Sequence, residues 1–169
     1  MDRDGTINVH KARGYVYKKT DFRFMPYVFR ALKKLSQSDY KIIIVTNQAG
    51  IGRGFYTVQE MNLLHKWMVN KFKAKKIRIN KIYYCPHSPD ANCGCRKPRL
   101  GMIKVAKRDF KLDLTKSWMV GDNAKDIVFG KNAKLKTIKL PNKSLSTGVI
   151  KPDYSVPNLS EAAAIILSS

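Results

Sequence analysis

Two aspartates stand two positions apart in Asp2-Arg3-Asp4-Gly5-Thr6. Gly5 lets the backbone turn sharply after them, so both carboxylates can face one cavity. A divalent cation would offset their repulsion. An all-oxygen site completed by Asp122, in Gly121-Asp122-Asn123-Ala124-Lys125-Asp126, is what Mg²⁺ prefers. A carboxylate nucleophile suits a phosphoryl electrophile and would give an aspartyl-phosphate, while a second carboxylate protonates the leaving oxygen. Thr46 supplies a hydroxyl and Lys97 a positive charge for the phosphoryl oxygens. Taken singly, these fragments also read as a turn, a helix cap and a strand-exit turn. Their order, each after an apolar run, is what argues for chemistry.

Cys85-Pro86-His87 and Cys93-Gly94-Cys95 form a second constellation, which holds all 3 cysteines of the chain. An odd, tightly clustered number suits a metal better than a secretory disulfide framework. Three thiolates and an imidazole with no open position fit a structural, tetrahedral Zn²⁺. The loop, residues 85–97, ends at Arg96-Lys97, so a zinc knot there would hold the lysine in place. His10 lies in a loop. His65 falls within a helical pattern, where a surface or core role is expected rather than a site role.

These residues need elements to position them. The apolar spacing of Pro26–Ser36 predicts a helix opened by proline, and the β-branched Lys41–Thr46 a strand buried on both faces. Thr57 and Glu60 form a capping box before a stripe of Met61, Leu64, Met68 and Phe72. The alternation continues with strands at Ile79–Tyr84, Ser117–Val120 and Lys136–Leu140, and helices at Gly101–Phe110 and Ala124–Asn132. A last helix follows Asn158. This is the pattern of a parallel α/β sheet, whose ligand crevice lies beyond the carboxyl ends of the strands.

The chain has 169 residues with 33 Lys+Arg against 12 Asp+Glu, a net charge of +21, and 44% apolar residues. That fits one folded domain spanning residues 1–169, with enough apolar surface for a core and too much for disorder. No stretch reaches the roughly 18 apolar residues of a membrane span, and no signal-peptide pattern opens the chain, so a cytoplasmic monomer is expected. The basic residues are scattered. They make either a solvated surface or a field that attracts phosphate esters or nucleic acid.

The set DRDGT, IVTNQAGIGRG, CRKP and VGDNAKD resembles the haloacid dehalogenase superfamily of phosphohydrolases, and within it the D-glycero-D-manno-heptose 1,7-bisphosphate 7-phosphatases and the related histidinol-phosphate phosphatases. GYVYKKTDFRFMP, LHKWM and IYYCPH extend the likeness from residue 2 to about 140. The resemblance implies a three-layer, Rossmann-like parallel sheet with a zinc-binding loop. It implies Asp2 as nucleophile and Asp4 as acid/base, with Mg²⁺ held by Asp2, the Asp4 backbone carbonyl and Asp122. Zn²⁺ would sit on Cys85, His87, Cys93 and Cys95. A small phosphorylated sugar would meet Thr46, Asn47, Gln48, Arg53, Arg96 and Lys97, with Gly14 and Tyr15 close by. Ala49 and Asn123 depart from the family's frequent serine and lysine, and two extra residues precede Gly14. The family also carries an apolar strand ahead of the first aspartate. Only Met1 stands there, so the first strand is expected to be truncated and Asp2 poorly aimed. A polynucleotide 3′-phosphatase shares the Thr-Asn-Gln stretch and would use the charge, but the zinc loop argues against it. A zinc-stabilised nucleic-acid-binding module leaves the aspartates unexplained.

Overall fold

The structure, a computed structural model, describes residues 1–11, 14–142 and 150–169. Its strands are β1 (Ile43–Asn47), β2 (Lys81–Cys85), β3 (Trp118–Gly121), β4 (Lys136–Lys139) and β5 (Tyr154–Ser155). All the pairings between them are parallel. Its helices are α1 (Val28–Ser36), α2 (Ala49–Gly52), α3 (Val58–Lys73), α4 (Gly101–Phe110), α5 (Ala124–Asn132) and α6 (Leu159–Leu167).

Local chemistry sets the helix ends. The Thr57 hydroxyl accepts from the Glu60 amide at 3.1 Å while the Glu60 carboxylate accepts from Thr57, the capping box expected at the start of α3. Asn123 and Asp126 form another at α5, which ties the segment after β3 into a fixed turn. Asn158 caps α6 by accepting from Ser160 and Glu161. α1 starts two residues later than its proline signal, because Tyr27 takes a left-handed φ of 63°.

Alternation along the strands divides the interior into two cores. Ile44, Val120 and Ile138 point to one face, where α1, α3 and α6 bury Leu32, Leu64, Met68 and Ile166. Val45, Tyr83 and Met119 point to the other, against Met102 and Ile103 of α4 and Phe129 of α5. Helices on both faces of parallel strands give the three layers that the β-α alternation requires.

The sheet is interrupted. β1 pairs with β2, and β3 pairs with β4, which pairs with β5, but β1 and β3 are not neighbours. Met1 and Asp2 bridge them in strand-like fashion: Val45 N–H donates to Met1 O and Asp2 N–H to Val120 O, each at 2.9 Å. Towards the start of the two strands lies an apolar cavity of about 430 Å³, lined by Met1, Ile43, Phe110, Trp118 and Met119 among others. Among the described residues, Met1 and Asp2 take the place between β1 and β3, with the cavity beside them. Asp2 is nevertheless buried, at 6% exposure, with its amide hydrogen-bonded.

Candidate active site

The polar segments meet at the carboxyl ends of the strands. Asp2 follows the bridge, Thr46 and Asn47 end β1, the 85–97 loop leaves β2, and Asp122 follows β3. One carboxylate oxygen from each of Asp2, Asp122 and Asp126 lies within 4.8 Å of the others. Lys97 Nζ sits among them, 2.8 Å from Asp2 Oδ1, 2.7 Å from Asp126 Oδ1 and 2.7 Å from Val45 O, to which it donates. Val45 O accepts a hydrogen bond from it, and the two carboxylates meet it as ion pairs. Lys97 thus neutralises these carboxylates at the place where its sequence position suggests an anion clamp.

Electrostatics follow from this burial. Desolvation, and then the Asp126 charge, push Asp2 above the usual carboxylate range, opposed by Lys97. Burial and the charges of Asp2 and Asp126 push Asp122 up to about 7. Burial works against the Lys97 ammonium, but Asp126 and Asp2 more than offset it and hold its proton tightly. Asp126 spends its Oδ1 on Lys97 and its Oδ2 on the Asn123 amide. Asp2 and Asp122 are left as the carboxylate pair whose chemistry fits a hard cation.

Gly5 is the residue that lets this cluster close. Its φ is +87°, and a Cβ there would collide with the Asp122 carboxylate.

Asp4 points elsewhere. Arg3 Nη2 donates to its Oδ1 at 2.8 Å, Asn8 Nδ2 to the same oxygen at 2.9 Å, and Gln48 Nε2 to its Oδ2 at 3.0 Å. Burial alone would raise Asp4, but the Arg3 guanidinium and these hydrogen bonds bring it below the usual range. Gln48 also donates to Thr46 Oγ1 and accepts from Tyr56 OH, so it fastens Asp4 to β1 and to the aromatic residues above. Asn47 exchanges hydrogen bonds with the Lys97 backbone, at 3.0 and 3.1 Å, and docks the 85–97 loop onto β1. Of the expected substrate contacts, Gln48 and Asn47 thus make internal bonds. Arg53 reaches the Tyr15 hydroxyl at 3.1 Å, where the Tyr15 ring meets Phe55 and Tyr56. Gly14 is exposed with φ +101°, and Arg96 is half-buried with Nη1 unpartnered among the described residues.

The second constellation also assembles. Cys85 Sγ lies 3.5 Å from Cys93 Sγ and 3.7 Å from His87 Nδ1, and Cys95 Sγ lies 3.3 Å from His87 Nδ1 and 3.5 Å from Cys93 Sγ. A tetrahedral zinc with sulfur at about 2.3 Å and nitrogen at about 2.0 Å needs neighbouring ligands about 3.5–3.8 Å apart, so the donor set and its spacing fit. All three cysteines are free thiols.

Three residues of this centre escaped the sequence reading. Asp126 was visible only as the end of the polar segment Gly121–Asp126, Arg3 only as the spacer between two aspartates, and His65 as one helical residue among many. His65 is buried, and its Nε2 lies 2.9 Å from Arg3 Nη1. A charged residue two positions into a buried motif is the one signal that pointed to Arg3, since a buried charge demands partners.

The polynucleotide kinase 3 phosphatase family model matches residues 1–158. A D-glycero-beta-D-manno-heptose-1,7-bisphosphate 7-phosphatase from Helicobacter pylori is 40% identical over 137 residues, 80% of this chain and 78% of that protein. A D-glycero-alpha-D-manno-heptose-1,7-bisphosphate 7-phosphatase from Campylobacter jejuni is 40% identical over 148 residues, 88% of this chain and 84% of that protein. The crystal structure of the D,D-heptose 1,7-bisphosphate phosphatase from B. bronchiseptica, complexed with magnesium and phosphate, superposes with a TM-score of 0.91 at 28% identity, covering 99% of this chain and 96% of that one. Fold and site define a phosphatase of the haloacid dehalogenase type. The chain belongs to the polynucleotide kinase 3 phosphatase family, in which its sequence is similar to heptose bisphosphate phosphatases. Among the described residues, no helix is long and apolar enough to cross a membrane.

Proposed function

We propose that the chain removes phosphate from the 7-position of a D-glycero-D-manno-heptose 1,7-bisphosphate through an aspartyl-phosphate on Asp2. The observation that carries the reading is the division of labour between two neighbouring aspartates. Asp2 is paired with Lys97 and faces Asp122, whereas Asp4 is held apart by Arg3, Asn8 and Gln48. Relatives named for the beta and for the alpha anomer are each 40% identical to this chain.

In this mechanism an Asp2 oxygen attacks phosphorus, the bond from phosphorus to the sugar oxygen breaks, and Asp4 gives that oxygen its proton. Water then attacks the phosphorus, Asp4 takes a proton from it, and phosphate leaves as Asp2 is restored. Asp4 is ionised in the free protein, the state required for the second half. The incoming phosphate charge raises its affinity for the proton that the first half requires. The Lys97 ammonium favours the ionised Asp2 that attack requires, against the burial and the Asp126 charge that favour its protonated form. Asp2, Asp122 and the Asp4 carbonyl would hold Mg²⁺, which supplies charge neutralisation at the phosphoryl oxygens. Zn²⁺ on Cys85, His87, Cys93 and Cys95 would stiffen the loop that carries Arg96 and Lys97. Thr46, Arg53, Tyr15 and Arg96 are the remaining groups for substrate.

A second reading, a polynucleotide 3′-phosphatase, is favoured by the matching family's description and the +21 charge. One experiment separates the two. A phosphate-ester panel with Mg²⁺ should show release from the heptose bisphosphate, and Asp2→Asn should lower kcat by about three orders of magnitude or more. Faster release from a duplex bearing a 3′-phosphate would replace the sugar reading, and full turnover by Asp2→Asn would remove the nucleophile assignment.

A further inference from the structure

Arg3 is a charged side chain 1% exposed, and each of its terminal nitrogens has a named partner. Nη2 donates at 2.8 Å to both Asp4 Oδ1 and the Val16 carbonyl, and Nη1 meets His65 Nε2 at 2.9 Å. A guanidinium can only donate, so His65 must offer a lone pair at Nε2 and carry its proton on Nδ1. Burial and the neighbouring Arg3 charge hold the imidazole neutral, its value lowered to about 3. The ring stands on the buried face of α3, a helix of 16 residues fixed by its capping box.

We infer that His65 is a positioning residue for Asp4, acting through Arg3: it fixes the guanidinium plane from a rigid helix, and the guanidinium fixes the carboxylate that handles the proton. Arg3 Nη2 lies 2.8 Å from both Asp4 oxygens, and Gln48 adds a second donor to Oδ2 at 3.0 Å, so the guanidinium governs the whole carboxylate. Removing the His65 acceptor frees the Arg3 fork to turn and leaves a buried donor unpaired. Displacement of an acid/base by about 1 Å costs on the order of 100-fold in rate. The inference rests on the acid/base reading of Asp4, which Asp4→Asn tests separately: full turnover by that variant would remove the acid/base assignment itself.

The experiment compares His65→Leu, which removes the acceptor, with His65→Gln, whose amide oxygen restores one near Nε2. Steady-state kinetics with Mg²⁺ would use both the heptose bisphosphate and p-nitrophenyl phosphate, with a melting curve for every variant. Expected is a kcat loss of about 10- to 100-fold in the Leu variant with KM within about two-fold, and recovery to within a few-fold in the Gln variant. Equal losses in both variants, or a parallel rise in KM, would overturn it. A second arm needs neither variant nor substrate: ¹⁵N correlation spectra of the native protein should show His65 protonated at Nδ1 alone at neutral pH. A proton at Nε2 would overturn the inference. Failure of the sugar to react while p-nitrophenyl phosphate discriminates the variants would count against the substrate assignment only.

Discussion

Asp122 shows how much a single carboxyl depends on its neighbours. Its folded-state value of about 7 lies above the ordinary 3.8, so between these values the folded protein binds more protons than the unfolded chain. By linkage, the contribution of this one carboxyl to stability is greatest below about pH 4 and is lost as pH rises through 7. Asp2 acts in the same sense; Asp4, lowered, acts only below the ordinary carboxylate range. Mg²⁺ replaces the proton, so its stabilising effect should be small at pH 5 and large at pH 7.5, measured as the shift in melting temperature on adding the ion. A shift independent of pH would contradict the paired Asp2–Asp122 site. At this scale the sequence was legible where spacing carries chemistry. Asp2, Asp4, Asp122 and the four zinc-type ligands all announce themselves by type and interval; Asp2 meets Asp122 and the four ligands meet one another, while the Asp4 carboxylate is turned to Arg3, Asn8 and Gln48. Lys97, Gln48 and Asn47 were found as positions, but their partners were not, because a buried ammonium or amide is defined by what surrounds it. His65 and Arg3 come together across 62 positions in sequence, a separation no local pattern reports.

The turn after Asp4 and the loop after β2 are the two elements on which the centre depends. Gly5→Ala should cost about 1–3 kcal/mol from its left-handed backbone alone. It should also weaken Mg²⁺ binding, since the added methyl meets Asp122. Equal melting temperatures and equal magnesium titrations for the two proteins would show that the turn adapts. The 85–97 loop is joined to the catalytic end through Asn47 and Lys97, and at its start through the amides of Gln48 and Gly52, which donate to Cys85 O and Pro86 O. A strong zinc chelator should therefore lower the melting temperature and kcat together, and restored zinc should recover both. Absence of zinc in protein purified without added metal would count against this. The elements themselves were largely legible, because each apolar run is bounded by a cap, a proline or a glycine. β5 was not, since two exposed residues make no periodic signal; its pairing with β4 is set by tertiary contact. The missing apolar run before Asp2 was legible too, but not that Met1 and Asp2 would supply the bridging hydrogen bonds.

The whole molecule carries +21, against a site whose own carboxylates are partly neutralised by Lys97. The long-range field is thus attractive to anions even though the crevice is acidic at close quarters. Raising ionic strength should lower kcat/KM modestly and leave kcat unchanged, as expected when charge aids encounter rather than chemistry. Submicromolar affinity for DNA at physiological salt would instead assign the charge to nucleic acid.

The gap between β1 and β3 then acquires a colloidal meaning. A strand edge covered only in part is a template for another chain beyond the covered stretch, and here β1 and β3 are each hydrogen-bonded to Met1 or Asp2 and otherwise look across one apolar cavity. Copies at +21 repel each other at long range. Screening shrinks that repulsion to a range of about 8 Å at physiological ionic strength. Charge at a distance is thus expected to oppose edge-to-edge contact in dilute salt, and light scattering should show association rising as salt is added.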